Sequence, residues 1–209
     1  AGQQDSYLNI KGNHGLIEHV KKVFSSLFTA RAVYYRKKKG FDGDIALSVV
    51  VQKMIDSDKS GVMFSINPVK QNENIVIEAV FGLGEGIVSG KINPDTYEVS
   101  RDIEILSKKL GDKKIAITRN SQGDTEQIKL TSLKSREQVL EDREIKHLAN
   151  FALKIEKHYG KPQDIEFALE SGEIYIVQSR PVTTKAQEEK SELKGDAILE
   201  GLGASPGVA

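Results

Sequence analysis

The sequence predicts an α+β fold with its helices and strands largely segregated along the chain, and three observations carry that prediction. Apolar residues recur at helical spacing near the N-terminus and again around 145–159. Between these stretches lie short β-branched runs separated by Asp, Asn, Ser, Gly and Pro turns. The chain then reaches two alternating runs joined at Ser171-Gly172-Glu173. Helical and strand periodicities that stay in separate blocks, with sheet dominating the middle, describe a sheet carrying helices and not a helical bundle.

The elements follow in order. Leu16, Ile17, Val20, Val23, Phe24, Leu27 and Phe28 lie on one helical stripe, so 14–39 reads as one bent helix or two, stopped at Gly40. Residues 45–54, 61–66 and 74–79 read as three strands, divided by Asp56-Ser-Asp-Lys-Ser-Gly61 and by Asn67-Pro68. The glycine cluster Phe81-Gly-Leu-Gly-Glu-Gly-Ile-Val-Ser-Gly90 fits a tight turn, a helix start close to a ligand, or both. Strands are expected at 96–100, 113–119 and 126–130, the last two forming a hairpin across Asn120-Ser-Gln-Gly-Asp124. Ile145, Leu148, Ala152, Ile155 and Tyr159 mark an amphipathic helix ended by Gly160 and Pro162.

The closing pair, Gln163-Asp-Ile-Glu-Phe-Ala-Leu169 and Ile174-Tyr-Ile-Val-Gln-Ser-Arg-Pro181, is the most informative stretch. Side chains of a strand alternate between faces, so Asp164 shares a face with Glu166 and Gln178 shares one with Arg180. A hairpin turn around Ser171 to Glu173 brings Glu166 beside Gln178 and Asp164 beside Arg180. A carboxylate with an amide oxygen suits Mg²⁺, which takes few protein oxygens together with nucleotide phosphates. Arg matches the planar geometry of phosphate oxygens. The plain alternative is an exposed hairpin edge carrying a surface ion pair, and residue types alone divide the two evenly.

Bulk properties narrow the field. The 209 residues suffice for one large domain with a core, and 30 basic residues balance 30 acidic ones, which leaves no electrostatic footprint for nucleic acid or an anionic membrane. Lys37-Lys38-Lys39 reads as a solvated helix C-terminus. Absence of cysteine excludes disulfides and thiolate metal sites and fits a reducing, cytoplasmic location. No segment is long and apolar enough to span a bilayer. The start at Ala1-Gly-Gln-Gln, with neither Met nor a signal peptide, suggests an excised or processed piece. His14, His19, His147 and His158 lack the one-turn spacing of a helical zinc site. From Thr183 to about Asp196 the chain turns polar and charged, as an interdomain linker does.

Several segments carry a resemblance. They are Ala1-Gly-Gln-Gln-Asp-Ser-Tyr-Leu-Asn9, Ser25-Ser-Leu-Phe-Thr-Ala-Arg-Ala32 with Tyr35-Arg36, Val50-Val-Gln-Lys-Met54, Ser57-Asp-Lys-Ser-Gly-Val-Met-Phe-Ser65, Phe81-Gly-Leu-Gly-Glu85 with Asn93-Pro-Asp95, Asp164-Ile-Glu166 and Gln178-Ser-Arg-Pro181. In this order they resemble the nucleotide-binding domain of the phosphoenolpyruvate synthase and pyruvate phosphate dikinase family, which includes rifampicin phosphotransferase. The Ser57 to Gly61 and Asn93 to Asp95 patterns resemble the synthase branch more than the antibiotic-modifying one.

The resemblance implies an ATP-grasp domain over 1–182, mainly its C-terminal lobe, a linker over 183–196 and the start of a swivelling phosphohistidine domain over 197–209. It implies that Glu166 and Gln178 hold Mg²⁺ against ATP, that Arg180 contacts phosphate, and that Asp164 orients Arg180 or a metal-bound water. Glu166 and Arg180 are then the catalytic pair. Backbone near Gln52, Met54 and Ile55 reads adenine, Gly2, Gln3 and Gln4 bring amides to phosphate, and Glu85 lies near the nucleotide or caps the helix after Gly84. Met54 as plain core is an equal alternative. Two departures matter: the family's N-terminal lobe with its phosphate-binding Lys and Arg, and its phosphohistidine motif, are not in this sequence. The fragment alone is therefore expected to be inactive. Its partners are those parts and the pyruvate-binding domain of a parent expected to be a homo-oligomer. The expected parent reaction converts ATP, pyruvate and water to AMP, phosphoenolpyruvate and phosphate. Rifampicin phosphotransferase, pyruvate phosphate dikinase and a non-catalytic nucleotide-binding module are the alternatives. Desolvation costs on four idle polar groups argue against the last.

Overall fold

The computed structural model describes residues 4–38, 40, 41, 43, 45–88 and 90–182. The linker and second-domain expectations over 183–209, and the Gly2 and Gln3 assignments, lie outside them. The elements are α1 (Gly12–Ser25), α2 (Ala30–Lys38), β1 (Lys59–Phe64), β2 (Ile75–Phe81), α3 (Glu85–Val88), β3 (Asp95–Val99), β4 (Ile105–Lys109), β5 (Ile115–Arg119), β6 (Thr125–Lys129), α4 (Asp142–Tyr159), β7 (Gln163–Glu170) and β8 (Glu173–Pro181). This is a mixed α/β fold. The chain divides into a smaller unit, Ala1–Ile55 with Arg119–Glu126, and a larger one, Asp56–Thr118 with Gln127–Ala209.

The larger unit is built on a six-stranded sheet in the order β4-β3-β2-β1-β7-β8, with every adjacent pair antiparallel. Alternation sends Met63, Ile75, Ile77, Ala79, Tyr97, Val99, Ile165, Phe167 and Leu169 to one face, where they form the core with Ile145, Leu148, Ala149 and Ala152 of α4. Those four helical positions fall on one stripe of a 3.6-residue repeat, which is why α4 lies on that face. The helix starts where Glu144 accepts the Glu141 N–H at 2.7 Å and ends where the Gly160 N–H returns to the Glu156 carbonyl at 2.8 Å.

A buried polar cluster fixes the loops at one end of the core. Asp95 accepts the Gly111 and Val139 N–H groups, both at 2.8 Å, and the Tyr97 hydroxyl at 3.0 Å. The Lys113 ammonium also bonds Asp95, and both side chains are fully buried. Tyr97 in turn accepts the Leu140 N–H at 3.1 Å. All these donors need partners once water is excluded, so the Asn93-Pro-Asp95 turn is a structural clamp. Gly82 is a second fixed point: it has φ +79°, and an added Cβ would stand 2.1 Å from the Ile117 carbonyl oxygen. Only glycine fits that crossing.

In the smaller unit a 3-10 turn, Ser26–Phe28, separates α1 from α2, so the helical stretch is two helices. The Ser26 hydroxyl donates to Val23 O at 2.6 Å and accepts the Asp5 N–H at 3.1 Å. The expected apolar stripe is only partly covered: α1 buries no residue and Ile17, Phe24 and Phe28 are exposed, while Leu27 is buried. One expectation fails outright. Residues 45–54 form no strand. Val50 is 83% exposed and Val51 63%, because β-branched propensity yields a strand only where a neighbouring strand pairs with it. By contrast β4 arises from a segment whose exposed Leu, Ser and Lys residues gave no strand pattern.

Candidate functional site

The β7–β8 hairpin turns through Ser171 and Gly172, both with positive φ (52° and 82°), with Glu170 opposite Glu173. Positive φ at both central residues is the turn that suits the twist of paired strands. The turn sets the register as far as Phe167 opposite Ile176, and beyond a one-residue shift Glu166 faces Gln178 and Asp164 faces Arg180. Arg180 Nε donates to Asp164 Oδ2 at 2.8 Å, and Nη2 stands 2.8 Å from the same oxygen in the ion pair. Gln178 Nε2 donates to Glu166 Oε1 at a longer 3.4 Å. The structure therefore brings together the four expected hairpin residues, in the expected pairs.

Alternation alone does not account for their common face. It would place Ile174, Ile176, Gln178 and Arg180 on one side of β8, yet the two isoleucines pack against the core. The register shifts between Glu166 and Phe167: Phe167 faces Ile176 while Glu166 faces Gln178. Val177 is the extra residue of a β-bulge, and it moves everything after it to the opposite face. Gln178 and Arg180 thereby join Asp164 and Glu166 on the face away from α4.

The electrostatics differ along the hairpin. Burial pushes the Glu166 carboxyl above its ordinary value, the Asp164 charge adds to that, and Arg180 opposes it. The Arg180 side chain is 46% exposed and that of Asp164 only 14%. Nη1 of Arg180 is not engaged by Asp164 and is available to an incoming oxyanion. Among the described residues no three of His, Cys, Asp and Glu converge as a metal cluster. The hairpin offers one carboxylate and one amide, which fits a hydrated Mg²⁺ brought with phosphates and not a cation held by protein alone. To ligate through oxygen, the Gln178 amide turns its carbonyl toward Glu166.

The remaining expected residues lie on other elements than the hairpin. Glu85 is exposed at the first position of α3. It follows the glycine turn, which is tied down where Ser57 and Ser60 donate to Gly82 O at 3.1 and 2.6 Å. Ser60 faces Ala168, on the same sheet face as Glu166. Gln4, Gln52, Met54 and Ile55 belong to the smaller unit, with Gln52 exposed and the others half-buried.

One more acid, Glu78, stands on this sheet face. The register lines up Gln178, Glu166, Val62, Glu78, Thr96 and Lys109 as one row across all six strands. Burial raises the Glu78 carboxyl above its ordinary value. The signal was a lone acid in the otherwise apolar Ile75-Val-Ile-Glu-Ala-Val-Phe81, but its proximity to β7 needed the strand order.

Residues 1–198 match the family described as the pyruvate phosphate dikinase AMP/ATP-binding domain. A probable phosphoenolpyruvate synthase of Archaeoglobus fulgidus is 53% identical over the whole chain, which spans 29% of that relative. One of Methanocaldococcus jannaschii is 48% identical, again over the whole chain and 18% of the relative. A rifampicin phosphotransferase of Bacillus cereus is 45% identical over 88% of the chain and 21% of the relative. The chain thus spans less than a third of the length of these curated relatives.

Proposed function

The chain belongs to the pyruvate phosphate dikinase AMP/ATP-binding family, as the nucleotide-binding domain of a phosphoenolpyruvate synthase-type phosphotransferase, and on that premise we propose that its β7–β8 hairpin holds Mg-ATP for phosphoryl transfer. The reading takes residues 1–182 as an ATP-grasp domain, mainly its C-terminal lobe, 183–196 as a linker and 197–209 as the start of a phosphohistidine domain. ATP passes a pyrophosphoryl group to a histidine of that swivelling domain and leaves as AMP; water takes the terminal group as phosphate, and the phosphoryl group left on the histidine goes to pyruvate. The balanced parent reaction is ATP, pyruvate and water to AMP, phosphoenolpyruvate and phosphate.

The pairing of Glu166 with Gln178 beside Asp164 with Arg180 carries this reading. When bound, Mg²⁺ supplies neutralisation of the polyphosphate charge. Glu166 and the turned Gln178 amide are its oxygen ligands. Asp164 holds one edge of the Arg180 guanidinium, so the other edge is oriented for phosphate oxygens before they arrive. Preorganised charge of this kind supplies most of the catalysis in phosphoryl transfer. Backbone at Gln52, Met54 and Ile55 is assigned to adenine, Gly2, Gln3 and Gln4 to phosphate, and Glu85 to the vicinity of the nucleotide. No described helix is long and apolar enough to cross a membrane, and the reading places the enzyme in the cytoplasm.

The test is phosphorylation of the full-length enzyme from labelled ATP, with Mg²⁺ as the only divalent cation. Wild type is expected to label a histidine and pass the label to pyruvate, while Glu166→Ala labels nothing and keeps its fold. Near-wild-type labelling in Glu166→Ala would sink the metal assignment, and transfer to rifampicin but not to pyruvate would assign the acceptor of the other branch.

A further inference from the structure

We propose that Arg36 anchors an interface inside the full-length enzyme: a carboxylate from a segment outside residues 1–209 enters the smaller unit and pairs with its guanidinium. The inference stands apart from the Mg-ATP reading of the hairpin. It needs only a full-length protein longer than this chain, as its relatives are, of which it spans 29% and 18%.

Burial comes first. Arg36 is 8% exposed, and its Nη1 is buried with no hydrogen-bond partner. It lies one turn beyond the fully buried Ala32, on the same face of α2. No described acid forms an ion pair with it, and Asp5 bonds Arg31 instead, at 3.1 Å. A buried lysine or glutamate escapes such a position by becoming neutral, but a guanidinium stays charged. The negative end of the α2 dipole is close by, yet no carbonyl accepts Nη1. Only an anion relieves the cost.

The class of anion follows from the charges. Lys37 and Lys38 are exposed, and residues one and two apart on a helix do not face each other. A phosphate dianion would therefore meet one cation here, whereas a carboxylate matches a single guanidinium in charge and in planar geometry.

Its source follows from what else the smaller unit leaves open. Among the described residues, the two buried side-chain atoms without a partner, Arg36 Nη1 and Asn9 Oδ1, both belong to this unit. The larger unit, by contrast, pairs even its fully buried Asp95 and Lys113. In the smaller one Phe28, Tyr34 and Phe41 are 75%, 67% and 65% exposed, and Val50 is 83% exposed. A small free ion would cover none of this apolar surface. A segment of protein covers it and delivers the carboxylate together, as in interfaces whose apolar centre surrounds an arginine.

The experiment is zero-length carbodiimide coupling of the full-length enzyme carrying Arg36→Lys. The reagent joins a carboxylate to an amine in direct contact and leaves arginine untouched, so wild type is the blank at this position. Mass spectrometry is expected to find position 36 joined to an Asp or Glu outside residues 1–209, just as it finds Lys70 joined to Glu98, 2.6 Å away. A link from position 36 to an acid within residues 1–209, or none where Lys70 and Glu98 are joined, would overturn the proposal. No link, with wild type stabilised by added phosphate, would assign a free anion instead. Denaturation of the full-length enzyme is the second measurement. Arg36→Gln should shift the unfolding equilibrium of this domain at least ~100-fold, because it strands a buried carboxylate. Arg31→Gln breaks a solvent-exposed pair and should shift it less than about fivefold. Equal shifts would defeat the role of Arg36.

Discussion

Glu166 faces Gln178 across the hairpin while Phe167, the next residue, faces Ile176, so one residue, Val177, decides which face of β8 carries the site. The device depends on residue count and not on the valine side chain, which is partly exposed. Val177→Ala should leave Mg-ATP binding within about twofold of wild type. Deletion of Val177 restores strict alternation and forces β8 to misplace either its core isoleucines or Gln178 and Arg180. Binding should then weaken by at least ~10-fold, about 1.4 kcal/mol. Calorimetric titration of both variants checks this, and equal affinities would show that the bulge does not position the site.

A second prediction concerns the clamp under the Asn93-Pro-Asp95 turn. Asp95 and Lys113 are both fully buried and bonded to each other. Truncating one partner leaves the other charge uncompensated in the core, so Lys113→Met should cost about 3 to 5 kcal/mol of folding stability. The double variant Asp95→Asn with Lys113→Met should lose less than Lys113→Met alone. Urea denaturation of the single and double variants measures the difference. Additive losses would mean that the two charges do not depend on each other.

Much of this was legible in the sequence, for identifiable reasons. The facing pairs 164/180 and 166/178 came from a turn of Ser171, Gly172 and Glu173 with the side-chain period, whereas the observed turn sets Glu170 opposite Glu173 and reaches the same pairs only through the register shift between Glu166 and Phe167; α4 came from its apolar stripe and Gly160. The bulge at Val177 was not legible, because an inserted residue between two alternating runs looks like continued alternation. Nor was the proximity of Glu78 to Glu166: it depends on β1 pairing with β7, a contact about a hundred residues distant along the chain. The missing strand at 45–54 is the converse case, where composition supplied propensity but no strand among the described residues pairs with it. Residues Ile17, Phe24 and Phe28 show the same asymmetry, since periodicity defined their helix without saying what covers it.

The pH dependence of stability gives a third prediction. Burial raises the Glu78 carboxyl above 4.5, and burial together with Asp164 does the same for Glu166. The folded chain therefore retains these protons at pH values where the unfolded chain has released them. Their contribution is fully present below the ordinary carboxylate value and is lost as pH rises through the raised values. In metal-free buffer, Glu78→Gln should remove part of that fall and be more stable than wild type at neutral pH. Denaturation midpoints of both chains from about pH 4 to about pH 8 provide the comparison. Parallel curves would show that Glu78 pays no desolvation penalty in the native state.

Arg180 allows the most direct test of preorganisation. Asp164 Oδ2 stands 2.8 Å from both Nε and Nη2, which fixes the plane of the guanidinium and aims its remaining edge outward. Lysine preserves the charge but presents a single rotating ammonium, without a fork to be held at one edge and used at the other. Arg180→Lys in the full-length enzyme should therefore lose at least ~10²-fold in the rate of phosphoryl transfer, comparable to removing one charge-stabilising donor. Asp164→Asn keeps an acceptor oxygen at the same place, so it should lose less than Arg180→Lys while still slowing the chemical step. Single-turnover transfer from labelled ATP separates that step from nucleotide binding. If Arg180→Lys transfers at the wild-type rate, Arg180 is a surface ion-pair residue and its alignment by Asp164 has no catalytic consequence.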